Sequence, residues 1–304
     1  MKALMFPGQG SQAVGMGRGL YEAHAVVRDT YAEASAALGY DIAALTFDGP
    51  AERLNETDVT RPALLVNSIA VVRLLAERGL RFDVTFGHSL GEYSALVASG
   101  AAPFVEAVEL VRRRGEAMHA AAQRYPGGMA AVLGLHDPVV EELCAGIADV
   151  WPANFNSPGQ VVVSGSPAGL DALERAAREA GARKVVRLAV SGAFHSPYMM
   201  AAADELRPAL EAVAWAPPSP RFFSVSSVEY EAGDFAELLA RQVCSPVRFT
   251  HAVRRLAHDG CDVFLEVGPG AVLSGLVRRI APEVATARAG DRETVDNLDA
   301  AWFS

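Results

Sequence analysis

Short apolar runs ending in glycine alternate along the chain with stretches of helical period, and few folds outside the α/β class accommodate that alternation. Ala3–Phe6 reads as a strand entering the loop Pro7-Gly8-Gln9-Gly10-Ser11-Gln12. Val84-Thr85-Phe86 reads as a buried strand that turns at Gly87 into a helix over Glu92–Ala98. Helices are expected over Gly19–Leu38, Pro62–Arg78 and Phe104–Arg124; the second places Leu65, Ile69, Val72 and Ala76 on one face. After Pro126-Gly127-Gly128 the order becomes strand Met129–Leu135, helix Pro138–Ile147, strands Val150–Phe155 and Gln160–Ser164, helix Pro167–Ala180 and strand Arg183–Val190. That βαββαβ order is the ferredoxin-like unit, inserted here at residues 127–193 of a larger domain made of 1–126 and 194–304. The larger domain resumes with a strand at Phe222–Val225, helices at Asp234–Gln242 and Phe249–Asp259, and a strand at Val263–Val267 entering Gly268-Pro269-Gly270. Beyond Arg288 no strong pattern remains.

Composition narrows the partners. With 36 acidic and 27 basic residues the 304-residue chain carries a formal charge of −9, which argues against nucleic acid and sends any acidic partner to a local basic patch. Cys144, Cys244 and Cys261 are odd in number and lack metal-ligand spacing, as expected of reduced thiols in a cytoplasmic protein. Pro7-Gly8 cuts the N-terminal apolar run too early for a secretory signal. No uninterrupted apolar run of about 18 residues predicts a membrane span.

The chemistry gathers in Gly87-His88-Ser89-Leu90-Gly91, a G-x-S-x-G sequence placed between strand and helix as a nucleophile elbow requires. The flanking glycines allow a sharp turn, and the following helix N-terminus offers free N–H groups to an oxyanion. Ser89 is therefore the candidate nucleophile. Among seven histidines, His24, His119, His251 and His258 lie in helical patterns, and His136 opens a turn. His88 adjoins the serine, but so sharp a turn should aim its side chain away from Ser89 Oγ. His195 lies in a loop re-entering the large domain, where functional residues concentrate, and is the candidate base. No carboxylate presents itself as a third member, although a main-chain carbonyl could orient the imidazole equally well.

The run Arg112-Arg113-Arg114 lies on the helix Phe104–Arg124. Its apolar stripe Phe104, Val108, Val111, Gly115, Met118 puts Arg113 on the opposite face, and Arg112 and Arg114 flank the stripe about equally. A solvated basic face is the ordinary fate of such a run. Gly8-Gln9-Gly10 lacks the third glycine and the following acid of a dinucleotide loop, so that reading is discarded.

Five segments occur in order across the chain: Phe6-Pro7-Gly8-Gln9-Gly10-Ser11-Gln12, Gly87-His88-Ser89-Leu90-Gly91-Glu92, Asn154-Phe155-Asn156-Ser157-Pro158-Gly159-Gln160, Gly192-Ala193-Phe194-His195-Ser196 and Glu266-Val267-Gly268-Pro269-Gly270. In them the chain resembles the malonyl-CoA:acyl carrier protein transacylase family. The resemblance implies an α/β-hydrolase-like large domain with an inserted ferredoxin-like subdomain. It implies a malonyl transfer from malonyl-CoA to the phosphopantetheine thiol of an acyl carrier protein, in fatty acid or polyketide biosynthesis, by a monomer without metal or redox cofactor. Ser89 would carry the acyl group and His195 would be the base. The N–H groups of Gln9 and Leu90 would form the oxyanion hole, and the main-chain carbonyl of Gln242 would orient His195. The family pattern around Arg114-Gly115-Glu116-Ala117-Met118 selects Arg114 as the carboxylate clamp. His88 and Phe194 join it as substrate-binding residues, with Phe194 narrowing the pocket against a 2-methyl branch. The alternative is a serine hydrolase or editing thioesterase, which would lose its acyl group to water and need no Arg114.

Overall fold

A computed structural model describes residues 1–303 of the chain. The strands are β1 (Lys2–Phe6), β2 (Val84–Gly87), β3 (Gly128–Leu133), β4 (Val150–Ser157), β5 (Gln160–Gly165), β6 (Lys184–Arg187), β7 (Arg221–Ser224), β8 (Glu229–Glu231), β9 (Val263–Val267) and β10 (Ala285–Ala289). Among the described residues they form a six-stranded sheet of order β10-β9-β1-β2-β7-β8 and a four-stranded sheet of order β4-β5-β3-β6. The first is parallel except for β8, which pairs antiparallel with β7. The second is antiparallel throughout. With helices on the sheet faces, this is an α/β fold with a mixed sheet.

Alternation along β1 shows how the larger sheet is buried. Leu4 and Phe6 face a core shared with the helices Ala25–Leu38, Thr57–Glu77 and Gly91–Ala98. Ala3 and Met5 face the opposite core, against the helices Phe249–His258 and Val272–Ile280. Both faces of a parallel sheet are covered, so β1 can be apolar at every one of these positions. A third cluster, containing Met118, Met129, Val162 and Phe194, joins the C-terminal half of the helix Phe104–Arg124 to the small sheet. The site lies at this junction, at the carboxyl ends of β1 and β2, where open parallel sheets bind ligands.

Several boundaries differ from the sequence expectation. The helix expected over Gly19–Leu38 is two, Arg18–Ala23 and Ala25–Leu38, because His24 is extended (φ −124°, ψ 129°) and its N–H closes the first helix on Leu20 O. The helix expected from Pro62 starts at Thr57 and holds Pro62 inside. A proline there removes the N–H that would meet Asp58 O, and the Tyr40 hydroxyl donates to that carbonyl instead at 3.3 Å. By length and composition the segment Asp58–Glu77 could cross a membrane, but 89% of its most apolar window is buried, as in a core helix. The strand expected over Arg183–Val190 pairs only at Lys184–Arg187; Leu188 and Val190 leave the sheet and line the cavity described below. The helix Val272–Ile280 and edge strand Ala285–Ala289 had no counterpart in the sequence pattern.

Candidate active site

The turn after β2 is built for close approach. Parallel pairing puts Phe6 beside Gly87, so the loops leaving β1 and β2 emerge side by side. A Cβ on Gly87 would stand 2.1 Å from the Gly91 carbonyl carbon, and one on Gly91 would stand 2.1 Å from Phe6 O. Only glycine lets the helix Gly91–Ala98 sit this tightly on the strands. Ser89 between them has φ +52°, a left-handed conformation that costs a non-glycine residue of order 1–3 kcal/mol. Such strain at a serine whose hydroxyl faces a cavity is the mark of a nucleophile elbow.

His195 also has positive φ, +58°. Its Nε2 lies 2.8 Å from Ser89 Oγ. Its Nδ1 faces two carbonyl acceptors, Gln242 O at 3.0 Å and Ser245 O at 3.1 Å. A ring nitrogen between two acceptors holds the proton, which leaves Nε2 free to accept one from the serine. Burial, and then the positive charge of Arg114, push the imidazole down to about 3, so the ring is neutral across the working pH range.

Arg114 and Arg112 part company on the helix Phe104–Arg124. Arg112 is half-exposed and pairs with Glu116 at 2.6 Å. Arg114 is 1% exposed, and its Nη2 donates to Ser89 Oγ at 3.0 Å and to Gln242 Oε1 at 3.1 Å. The same serine oxygen therefore meets an imidazole and a guanidinium. Gln9 and Leu90 both line the cavity beside Ser89, and among the described residues neither main-chain N–H has a hydrogen-bond acceptor. His88 does turn away from the serine: its Nε2 lies 2.9 Å from Asn156 Oδ1, and burial lowers its basicity. Even so it lines the cavity, as does Phe194. That cavity has a volume of about 290 Å³ and is walled by strands of the small sheet, by the loops after β1 and β2 and by helices of the large domain.

Two residues of the site escaped the sequence reading. Glu92 is fully buried; it accepts from Val225 N at 2.7 Å and also from Gln242 Nε2. Through that amide, which also donates to Ser89 O at 2.9 Å, Glu92 braces the residue that touches both His195 and Arg114. Its signal was its place one helical turn after the serine. Arg61, 1% exposed, lines the same cavity from the helix Thr57–Glu77. It directly precedes the apolar run that starts at Pro62, and a charge at that edge carries no distinguishing signal in the sequence.

A sequence-family model of the acyl transferase domain matches residues 4–294, and the fold and site are those of an acyltransferase. A malonyl CoA-acyl carrier protein transacylase of Bacillus subtilis (strain 168) is 42% identical over 300 residues, covering 97% of this chain and 95% of the relative. The crystal structure of an acyl carrier protein S-malonyltransferase from Vibrio cholerae superposes with a TM-score of 0.96 at 42% identity, covering 98% of this chain and 99% of that one. A malonyl-transacylase solved with its type II polyketide acyl-carrier protein gives 0.93 at 40% identity, with 97% of each chain covered. The chain belongs to the malonyl CoA-acyl carrier protein transacylase family.

Proposed function

We propose that this enzyme transfers a malonyl group from malonyl-CoA to the phosphopantetheine thiol of an acyl carrier protein through an ester on Ser89. The carrying observation is the environment of Ser89 Oγ, 2.8 Å from His195 Nε2 and 3.0 Å from Arg114 Nη2. A nucleophile in reach of both a base and a buried guanidinium suits an acyl group that ends in a carboxylate. His195 takes the serine proton as Oγ attacks the thioester carbonyl. The oxyanion falls to the N–H groups of Gln9 and Leu90, and the tetrahedral intermediate collapses with CoA leaving as the thiol, protonated by His195. The carrier thiol then gives its proton to His195 and attacks the ester; the intermediate collapses, and Ser89 Oγ leaves with the proton that His195 returns. Arg114 exchanges its bond to Oγ for the malonyl carboxylate, and Gln242 holds His195 through its main-chain carbonyl. His88 and Phe194 shape the wall, Phe194 against a 2-methyl branch. The loaded carrier protein serves chain extension in fatty acid or polyketide biosynthesis.

The architecture we infer is an α/β-hydrolase-like catalytic domain, residues 1–126 and 194–304, with a ferredoxin-like subdomain at 127–193. The β4-β5-β3-β6 order of the antiparallel sheet supports the latter. Free Cys144, Cys244 and Cys261 fit a reducing compartment, the cytoplasm. Intact-mass measurement after malonyl-CoA addition tests the reaction: a malonyl adduct on Ser89 should persist in buffer and clear when holo-acyl carrier protein is added. Rapid clearance by water alone would favour a thioesterase.

A further inference from the structure

Arg61 enters the cavity from the second turn of a core helix, where Val59, Ala63, Leu64 and Leu65 are themselves buried. Its Nη2 lies 3.8 Å from Met118 Sδ, on the helix that carries Arg114. Its guanidinium carbon stands 5.8 Å from the centre of the Phe194 ring. Met118 is one helical turn beyond Arg114, and Phe194 precedes His195. The residues flanking Arg61 are thus the neighbours of the clamp and of the base. Arg61, Arg114 and Ser89 line one cavity of about 290 Å³.

We propose that Arg61 is a further specificity-determining residue of this site, a second guanidinium that binds the malonyl carboxylate jointly with Arg114. This rests on the reading that Ser89 carries a malonyl group. Two like charges in a buried cavity repel, and an anion between them turns the repulsion into attraction on both sides. A carboxylate offers about four lone-pair sites on two oxygens, enough for donors from two guanidiniums. Burial and the charge of Arg114 lower the Arg61 guanidinium only to about 9, so it remains a cation at neutral pH. An acetyl group would bring no anion to the two desolvated cations, so discrimination against uncharged acyl groups should exceed what Arg114 provides alone.

The test is kcat/KM for ester formation with malonyl and acetyl thioesters, each on CoA and on N-acetylcysteamine, for wild type, Arg61→Met, Arg61→Lys and Arg114→Ala. Loss of a charged hydrogen bond should lower the malonyl-to-acetyl ratio of Arg61→Met about 10–100-fold on both leaving groups. Arg114→Ala should lower it further, and Arg61→Lys should recover part of the loss as a point charge without the fork. An equal loss on malonyl and acetyl would make Arg61 a structural residue and overturn the proposal. A loss confined to CoA thioesters would assign it to the nucleotide phosphates and overturn the proposal as well. If Arg61→Met does not fold, Arg61→Lys decides: a ratio about threefold or more below wild type is expected, and an unchanged ratio refutes the proposal. Wild type lacking a malonyl ester on Ser89 by intact mass would instead defeat the underlying reading.

Discussion

Ser89 and His195 meet at 2.8 Å, yet the chain holds the two by different means. The serine half is local. Residues 87–91 supply the turn, both glycines and the start of the helix; from farther away, β1 lies beside β2 and the Gln242 amide donates to Ser89 O at 2.9 Å. The histidine half is assembled from afar. His195 sits in a loop after the small sheet, and its ring is oriented by carbonyls 47 and 50 residues further along. Its main-chain N–H donates to Val243 O at 3.2 Å, so one short segment fixes both its backbone and its ring. The strained turn of Ser89 is held mostly by its own neighbours, whereas the ring of His195 takes its orientation from acceptors distant in the chain.

The largest effect is expected from Ser89→Ala, which removes the local half and should cost roughly 10⁴–10⁶ in transfer rate, by analogy with other catalytic nucleophiles. Labelled malonyl that stays on the denatured variant would show that the ester forms elsewhere. His195 has positive φ, so Asn, which tolerates that region, is the cleaner replacement than Ala. His195→Asn should slow both half-reactions about 10²–10⁴-fold, the usual scale of general acid–base catalysis. Near-normal ester formation in this variant would show that the assembled half is dispensable.

The acid limb of kcat/KM reports the protonation of the imidazole. With His195, the proposed base, lowered to about 3 by burial and Arg114, the imidazole of the free enzyme stays deprotonated, and no inflection is expected near 6.5. Removing the positive charge in Arg114→Ala should move the imidazole, and any limb it controls, upward. The same shift acts on stability. Between about 3 and 6.5 the unfolded chain binds a proton that the folded ring refuses, so stability falls as pH drops through that window. His195→Asn should flatten part of that fall in Tm against pH. The smallest effect belongs to Arg112→Ala. Its surface pair with Glu116 predicts a change within about 0.5 kcal/mol and an unaltered malonyl-to-acetyl ratio. A collapse of that ratio would mean the wrong arginine had been assigned to the carboxylate.

The sequence by itself determined the α/β class and the serine turn, because both depend on neighbours in the chain: strand periodicity, glycine spacing and the start of a helix. It also singled out the loop of His195. The helical wheel could not choose between Arg112 and Arg114, since each flanks the apolar stripe; only the packing of that helix against the serine turn buries one and leaves the other half-exposed. Edge strand Ala285–Ala289 was illegible because its small residues show little apolar alternation, and its pairing with β9 supplies what periodicity lacks. In the sequence Glu92 stood out only as the last residue of the serine motif, and Arg61 did not stand out at all. What made them parts of the site were Val225 and Gln242 in the first case, and Met118 and Phe194 in the second. Buried polar groups take their meaning from partners distant in sequence, and those partners exist only once the sheets and helices have closed around them.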